Sequence, residues 1–125
     1  MVIDDDASVC KAIRRLLQTA QMDVGTCPSG ESFLRSILHR EPDCLVLDIR
    51  MPEMTGPELR DRLYAMGRRI PIVFITAHAE EEDSIAGSGV PVLHKPFDDS
   101  ALLDAIRLAV RDGDSLPFSS PQSAY

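Results

Sequence analysis

Cys44-Leu45-Val46-Leu47-Asp48 is the stretch that decides the architecture of this chain: four consecutive apolar residues stopped by an acid. A strand with one wet face alternates apolar and polar side chains, whereas a run apolar at every position suits a parallel strand covered by helices on both faces. Three other runs end on polar groups in the same way. Met1-Val2-Ile3 leads into Asp4-Asp5-Asp6, Ile70-Pro71-Ile72-Val73-Phe74-Ile75 into Thr76, and Val90 to Leu93 into His94 and Lys95-Pro96. Segments of helical periodicity lie between them, so the pattern predicts βαβ alternation in a doubly wound fold. Such folds put their working groups outside the carboxyl ends of the strands. Asp4, Asp5, Asp48, Thr76 and Lys95, some ninety positions apart at the extremes, are thereby expected in one crevice.

The intervening segments are read as follows. Ala7 to Gln21 carries Val9, Ile13, Leu16, Leu17 and Ala20 on one helical face and Lys11, Arg14, Arg15 and Gln18 on the other. Met22 to Cys27 alternates weakly as a second strand, and Pro28-Ser29 starts a helix with Phe33, Leu34, Ile37 and Leu38 as its stripe. Gly56-Pro57 opens a third helix with Leu59, Leu63 and Met66 facing inward, ended by Gly67. Ala79 to Ala86 is acidic, with Ile85 its one large apolar residue, and predicts a short or irregular fourth helix. Val90 to His94 is the fifth strand, and Asp98, Asp99 or Ser100 caps a last helix holding Leu102, Leu103, Ile106, Leu108, Ala109 and Val110. From Asp112 to Tyr125 Gly, Ser and Pro dominate, which predicts a flexible tail or truncated linker after a domain over residues 1–111.

A chain of 125 residues with 44% hydrophobic residues builds one domain with a real core. Its net charge of -7 and pI near 4.8 argue against direct nucleic acid binding, which needs clustered Lys and Arg in excess. Cys10, Cys27 and Cys44 are widely spaced within apolar patterns and lack metal-ligand spacing, so they read as buried hydrophobes. No run is long enough to cross a bilayer and no signal peptide pattern opens the chain. The expectation is a reduced, cytoplasmic protein without a membrane partner.

Three carboxylates at neighbouring strand ends repel one another and call for a cation. A hard divalent ion suits an all-oxygen site, and Mg²⁺ takes one or two carboxylates while leaving a position for a phosphoryl oxygen. Thr76 offers a neutral donor and Lys95 a point charge to a group above Asp48. Phosphoryl transfer needs mostly positioning and charge neutralisation, so Asp48 has what a nucleophile requires.

Val2-Ile3-Asp4-Asp5-Asp6, Leu45-Val46-Leu47-Asp48-Ile49-Arg50-Met51-Pro52, Phe74-Ile75-Thr76-Ala77 and Lys95-Pro96-Phe97 together resemble the receiver domain of bacterial two-component response regulators, over about residues 1–111. The resemblance implies a flavodoxin-like (βα)5 fold, a doubly wound parallel five-stranded sheet in strand order 2-1-3-4-5. It implies that Asp48 accepts phosphate from a sensor histidine kinase or phosphotransfer protein, with Thr76 moving toward the phosphoryl group and Lys95 pairing with it. It further implies Mg²⁺ held directly by Asp5 and Asp48, by the backbone carbonyl of Arg50, and by Asp4 through water. Lys95-Pro96 is expected to be cis. The chain would be a phosphoacceptor signalling domain and not an enzyme beyond self-phosphorylation and self-dephosphorylation. Its output is altered binding of a partner the sequence does not name, and a homodimer is among the forms the family's output face allows.

Bland roles are expected for the remaining candidates: Asp6 as a helix cap, His78 and His94 as surface residues, His39 as a structural residue of the second helix. Arg50 and His78, two residues after the acceptor and the Thr, are where access of attacking water is tuned in similar domains. Three departures stand out. Val92 replaces the usual aromatic three residues before the Lys, the segment between Thr76 and Lys95 is about one helical turn short, and the first strand begins at Met1. The first two favour an alternative, a phosphorylation-independent receiver-like interaction module. A Mg²⁺-dependent aspartyl phosphatase is disfavoured because Asp48-Ile49-Arg50 puts Arg where an acid catalyst should stand. A flavodoxin is disfavoured because the Asp-rich first loop repels phosphate.

Overall fold

The computed structural model describes residues 1–37, 39–78 and 90–114. In chain order these form β1 (Val2–Ile3), α1 (Ala7–Thr19), β2 (Thr26–Cys27), α2 (Gly30–Ser36), β3 (Leu45–Asp48), α3 (Gly56–Ala65), β4 (Ile72–Thr76), β5 (Val92–His94) and α4 (Asp99–Asp114). The five strands make one sheet in the order β2-β1-β3-β4-β5, and every neighbouring pair is parallel. This is the doubly wound, flavodoxin-like arrangement expected from the runs that end on polar groups. The stretch 79–86, expected as a short helix, lies outside the described residues.

The unbroken apolar character of the strands has a direct cause. Side chains alternate between faces along a strand. Ile3, Leu45, Leu47, Ile72 and Phe74 meet Phe33 and Ile37 around α2 and Leu59 and Leu63 of α3. Val2, Val46, Val73 and Ile75 meet Cys10, Ile13 and Leu17 of α1 and Leu102 and Ile106 of α4. Full burial of each such aliphatic side chain is worth roughly 1.5–3 kcal/mol, so both layers must form for the sheet to stand.

Several boundaries differ from those expected. Proline explains two of them, since it donates nothing to a ladder: β4 starts after Pro71 and β5 after Pro91. Their carbonyls still pair, accepting from Leu45 N at 2.8 Å and Phe74 N at 2.9 Å. The second strand shrinks from Met22–Cys27 to Thr26–Cys27, and α1 ends at Thr19 with Gln21 in the left-handed region at φ 63°. On α1, Cys10 joins Ile13 and Leu17 in the core, while Val9, Leu16 and Ala20 are half-buried. The second helix stops at Ser36, so Ile37 is buried just beyond it and His39 is exposed in the following turn instead of helical. Met66 does not face inward: α3 ends at Ala65, and Met66, at its C-cap, is 47% exposed. At the other end of the chain, α4 runs to Asp114, three residues past the expected boundary.

The start of α3 is set by a reciprocal capping box. Glu58 N donates to Thr55 Oγ1 at 3.3 Å and Thr55 N donates to Glu58 Oε1 at 2.9 Å. Thr55→Ala is expected to lower stability by about 1 kcal/mol, read as a shift of the urea midpoint at unchanged slope. A change in slope or no shift would show that the cap does not hold this helix.

Candidate functional site

The sheet register assembles the polar groups. Ile3 stands opposite Leu47, Asp48 opposite Ile75, and Thr76 opposite His94. Asp4, Asp48, Thr76 and Lys95 therefore leave four adjacent strands at one edge. Asp4 is almost fully buried, at 1% exposure; its Oδ1 accepts from Asp6 N at 2.9 Å and its Oδ2 lies 3.0 Å from Lys95 Nζ. Lys95 Nζ is 3.9 Å from Asp48 Oδ1. The ammonium thus sits closer to Asp4 than to the expected acceptor. Asp5 is exposed, yet Asp4, Asp5 and Asp48 each bring one carboxylate oxygen into a set whose members all lie within 4.8 Å of one another.

Asp48 is 6% exposed, and its pKa is pushed up from the ordinary 3.8 to about 7. Burial is the main cause, followed by the negative charge of Asp4; Lys95 and the Arg50 N–H pull the other way. The contact of Asp48 with Arg50 is thus made by the amide, while the Arg50 side chain is exposed. One ammonium, that of Lys95, faces a set of three carboxylates. Three convergent carboxylates with no soft ligand among them suit a hard divalent cation.

Thr76 is the last residue of β4, not the residue after it, and is fully buried. Its hydroxyl accepts from His78 N at 3.0 Å and donates to His78 O at 3.2 Å, while its carbonyl accepts from Lys95 N at 2.6 Å. The Lys95-Pro96 peptide is cis. Asp6 is the N-cap of α1, accepting from Ser8 N at 2.8 Å and Val9 N at 3.4 Å, and so stands outside the acidic set. His78 is half-buried and His94 exposed. Val92 is half-buried opposite Phe74.

Two supports escaped the sequence reading. Gly56 packs so tightly under β3 that a Cβ there would lie 2.6 Å from the Asp48 carbonyl oxygen, and its N–H donates to Ile49 O at 2.8 Å. The loop from Ile49 to Met54 is anchored by the buried side chains of Ile49, Met51 and Met54. The Thr55-x-x-Glu58 spacing was the available signal for where α3 begins. The closeness of Gly56 left none.

The sequence model described as "Response regulator receiver domain" matches residues 1–107. Response regulator protein TmoT of Ectopseudomonas mendocina is 32% identical over 124 residues, covering 97% of this chain and 56% of TmoT. Response regulator protein TodT of Pseudomonas putida is 34% identical over 113 residues, covering 88% of this chain and 50% of TodT. A crystal structure of a response regulator receiver protein from Burkholderia phymatum superposes with a TM-score of 0.76 at 37% identity, over 88% of this chain and 92% of that one. A doubly wound sheet with acids, a hydroxyl and a lysine at its carboxyl edge defines a class of signalling domain. This chain belongs to the response regulator receiver domain family, whose members serve two-component signalling. It spans about half the length of the curated relatives it matches. Among the described residues no helix is long and apolar enough to cross a membrane.

Proposed function

We propose that the chain is a phosphoacceptor: Asp48 takes a phosphoryl group from a phosphohistidine of a sensor kinase or phosphotransfer protein in the cytoplasm, and the change alters partner binding. The observation that carries the reading is the convergence of Asp48 with two more carboxylates and the Lys95 ammonium at one sheet edge. An Asp48 carboxylate oxygen attacks phosphorus in line, the P–N bond to the donor breaks, and the imidazole keeps the electron pair. Lys95, already in the crevice, pairs with the phosphoryl oxygens as charge leaves the Asp48 carboxylate. Thr76 exchanges its two hydrogen bonds to the His78 backbone for one to the same group, which ties the covalent event to the turn after β4.

Asp5 and Asp48 are the direct carboxylate ligands proposed for Mg²⁺, with the Arg50 carbonyl and, through water, Asp4. When bound, the ion supplies charge neutralisation between the carboxylates and the phosphoryl oxygens. Reversal of the switch is attack by water on phosphorus, which returns the Asp48 carboxylate. Arg50 and His78 flank that approach.

Intact mass after incubation with Mg²⁺ and acetyl phosphate tests the reading. Wild type is expected to gain one base-labile phosphoryl group and Asp48→Asn none. A folded, Mg²⁺-binding wild type that gains nothing would instead support the phosphorylation-independent interaction module, which the half-buried Val92 in place of an aromatic favours.

A further inference from the structure

The end of α3 runs against the charge of the chain. Residues 60–69 hold Arg60, Arg62, Arg68 and Arg69 against one acid, Asp61, in a protein whose net charge is -7. Arg68 is met by Glu41 at 2.9 Å, while Arg62 and Arg69 are exposed. Tyr64, at 50% exposure, and Met66, at 47%, stand among these arginines and are two of the three large apolar side chains exposed among the described residues. Cation and ring alternate along this surface. The Arg69 guanidinium lies over the Tyr64 ring, 5.4 Å from its centroid, and Arg60, one turn before Tyr64 on the same side of the helix, lies 5.9 Å from the centroid of Phe74. Stacking of this kind orients a planar guanidinium and leaves its N–H fork to pair with a carboxylate.

Arginine near a helix C-terminus is ordinary, since it meets the negative end of the helix dipole. That accounts for Arg62 in the last turn. It does not account for the exposure of Tyr64 and Met66 beside it. Tyr, Met and Arg are the residue types enriched at protein interfaces, where aromatic and Arg side chains carry most of the binding energy. Charge then selects the partner. Arg forks pair with carboxylates in two hydrogen bonds, and a basic surface steers the approach of an acidic one. Nucleic acid fits less well, because the chain as a whole carries 20 acidic residues against 13 basic ones and repels a phosphate backbone that runs past the patch.

We propose that this end of α3 is a docking surface for an acidic segment of a partner protein, with Tyr64 and Met66 as its apolar anchors and Arg62 and Arg69 as its carboxylate clamps. The surface stands in the unphosphorylated protein, so its test is independent of chemistry at Asp48. The probe is a soluble synthetic peptide of glutamates around one Phe and one Leu, titrated into the isotope-labelled 125-residue chain and followed by NMR. The same peptide with Lys in place of Glu is its counterpart. The Glu peptide is expected to shift the amide resonances of residues 60–69 and the Lys peptide to leave them unmoved. Arg62→Glu with Arg69→Glu is expected to weaken binding about tenfold or more, and Tyr64→Ser about fivefold, as for the loss of one aromatic anchor. Arg14→Glu with Arg15→Glu, an equal change of charge on exposed side chains of α1, is expected to leave the affinity unchanged at physiological salt. Unmoved resonances at 60–69, or equal weakening by the two pairs of reversals, overturns the proposal. So does tighter binding of a single-stranded oligonucleotide at the same residues, which would assign the surface to nucleic acid. Shifts at 60–69 on dilution without peptide overturn it as well, by assigning the surface to a second copy of the chain.

Discussion

Gly56→Ala is expected to destabilise the protein by about 2–3 kcal/mol, at the upper end of what overpacking costs, and to slow phosphate uptake at Asp48. The new methyl would stand 2.6 Å from the Asp48 carbonyl oxygen and 3.1 Å from both Ile49 Cα and Phe74 Cε1. Two of these three neighbours are backbone atoms of the segment that carries the acceptor, so relief requires moving α3 or displacing Asp48 itself. Gly67→Ala is the matched control. Gly67 has φ +77° with nothing within 4 Å of a built Cβ, so its replacement meets conformational strain but no collision, at about 1 kcal/mol. Urea unfolding of both variants, with uptake from acetyl phosphate measured beside it, separates the two effects. A Gly56→Ala protein as stable as wild type would remove the claim that close packing of α3 sets the acceptor's position.

The second large effect is electrostatic. In the metal-free protein Asp48→Asn is expected to raise stability above pH 7 by up to about 4 kcal/mol, since each unit of pKa displacement is worth about 1.4 kcal/mol. The sign follows from proton binding: the folded pKa is about 7 against an ordinary 3.8, so between these values the native state holds more protons than the unfolded one. Wild type therefore loses stability as pH rises from about 4 to 7, and the asparagine variant is spared that loss. The gap should close near pH 4. Adding Mg²⁺ at pH 8 should narrow it from the other side, by stabilising wild type more than the variant. Thermal melts at pH 4, 6 and 8 measure the gap. A difference independent of pH would show that burial beside Asp4 does not strain the acceptor.

Much of this molecule was legible because its chemistry and its hydrophobic pattern change at the same residues. Leu45-Val46-Leu47 had to be covered on both faces, and Asp48 had to stand where that cover ends. The same reasoning located Asp4, Asp5, Thr76 and Lys95. Parallel register then did what no local pattern shows, setting the Lys95 ammonium nearer to Asp4 than to Asp48. Strand and helix ends were less legible, because packing and hydrogen-bond supply decide them: Pro71 and Pro91 shorten two strands, and Met66 lies past the last turn that reaches the core. Gly56 reads in sequence as an ordinary helix opener, since its role depends on a carbonyl eight residues earlier in the chain. Cys10 was expected to be buried, but not to donate its thiol to the Asp4 carbonyl at 3.3 Å, behind the acid that Lys95 holds.

The bridge between Lys95 and Asp4 spans 91 residues of sequence. Contacts of such separation form late, after loop closure has been met by the rest of the fold. A chain emerging from the ribosome carries Asp4, Asp5 and Asp48 well before Lys95 exists, so through most of its synthesis it holds the acids without the ammonium between them. The ammonium that pairs with Asp4 therefore arrives only with the last strand.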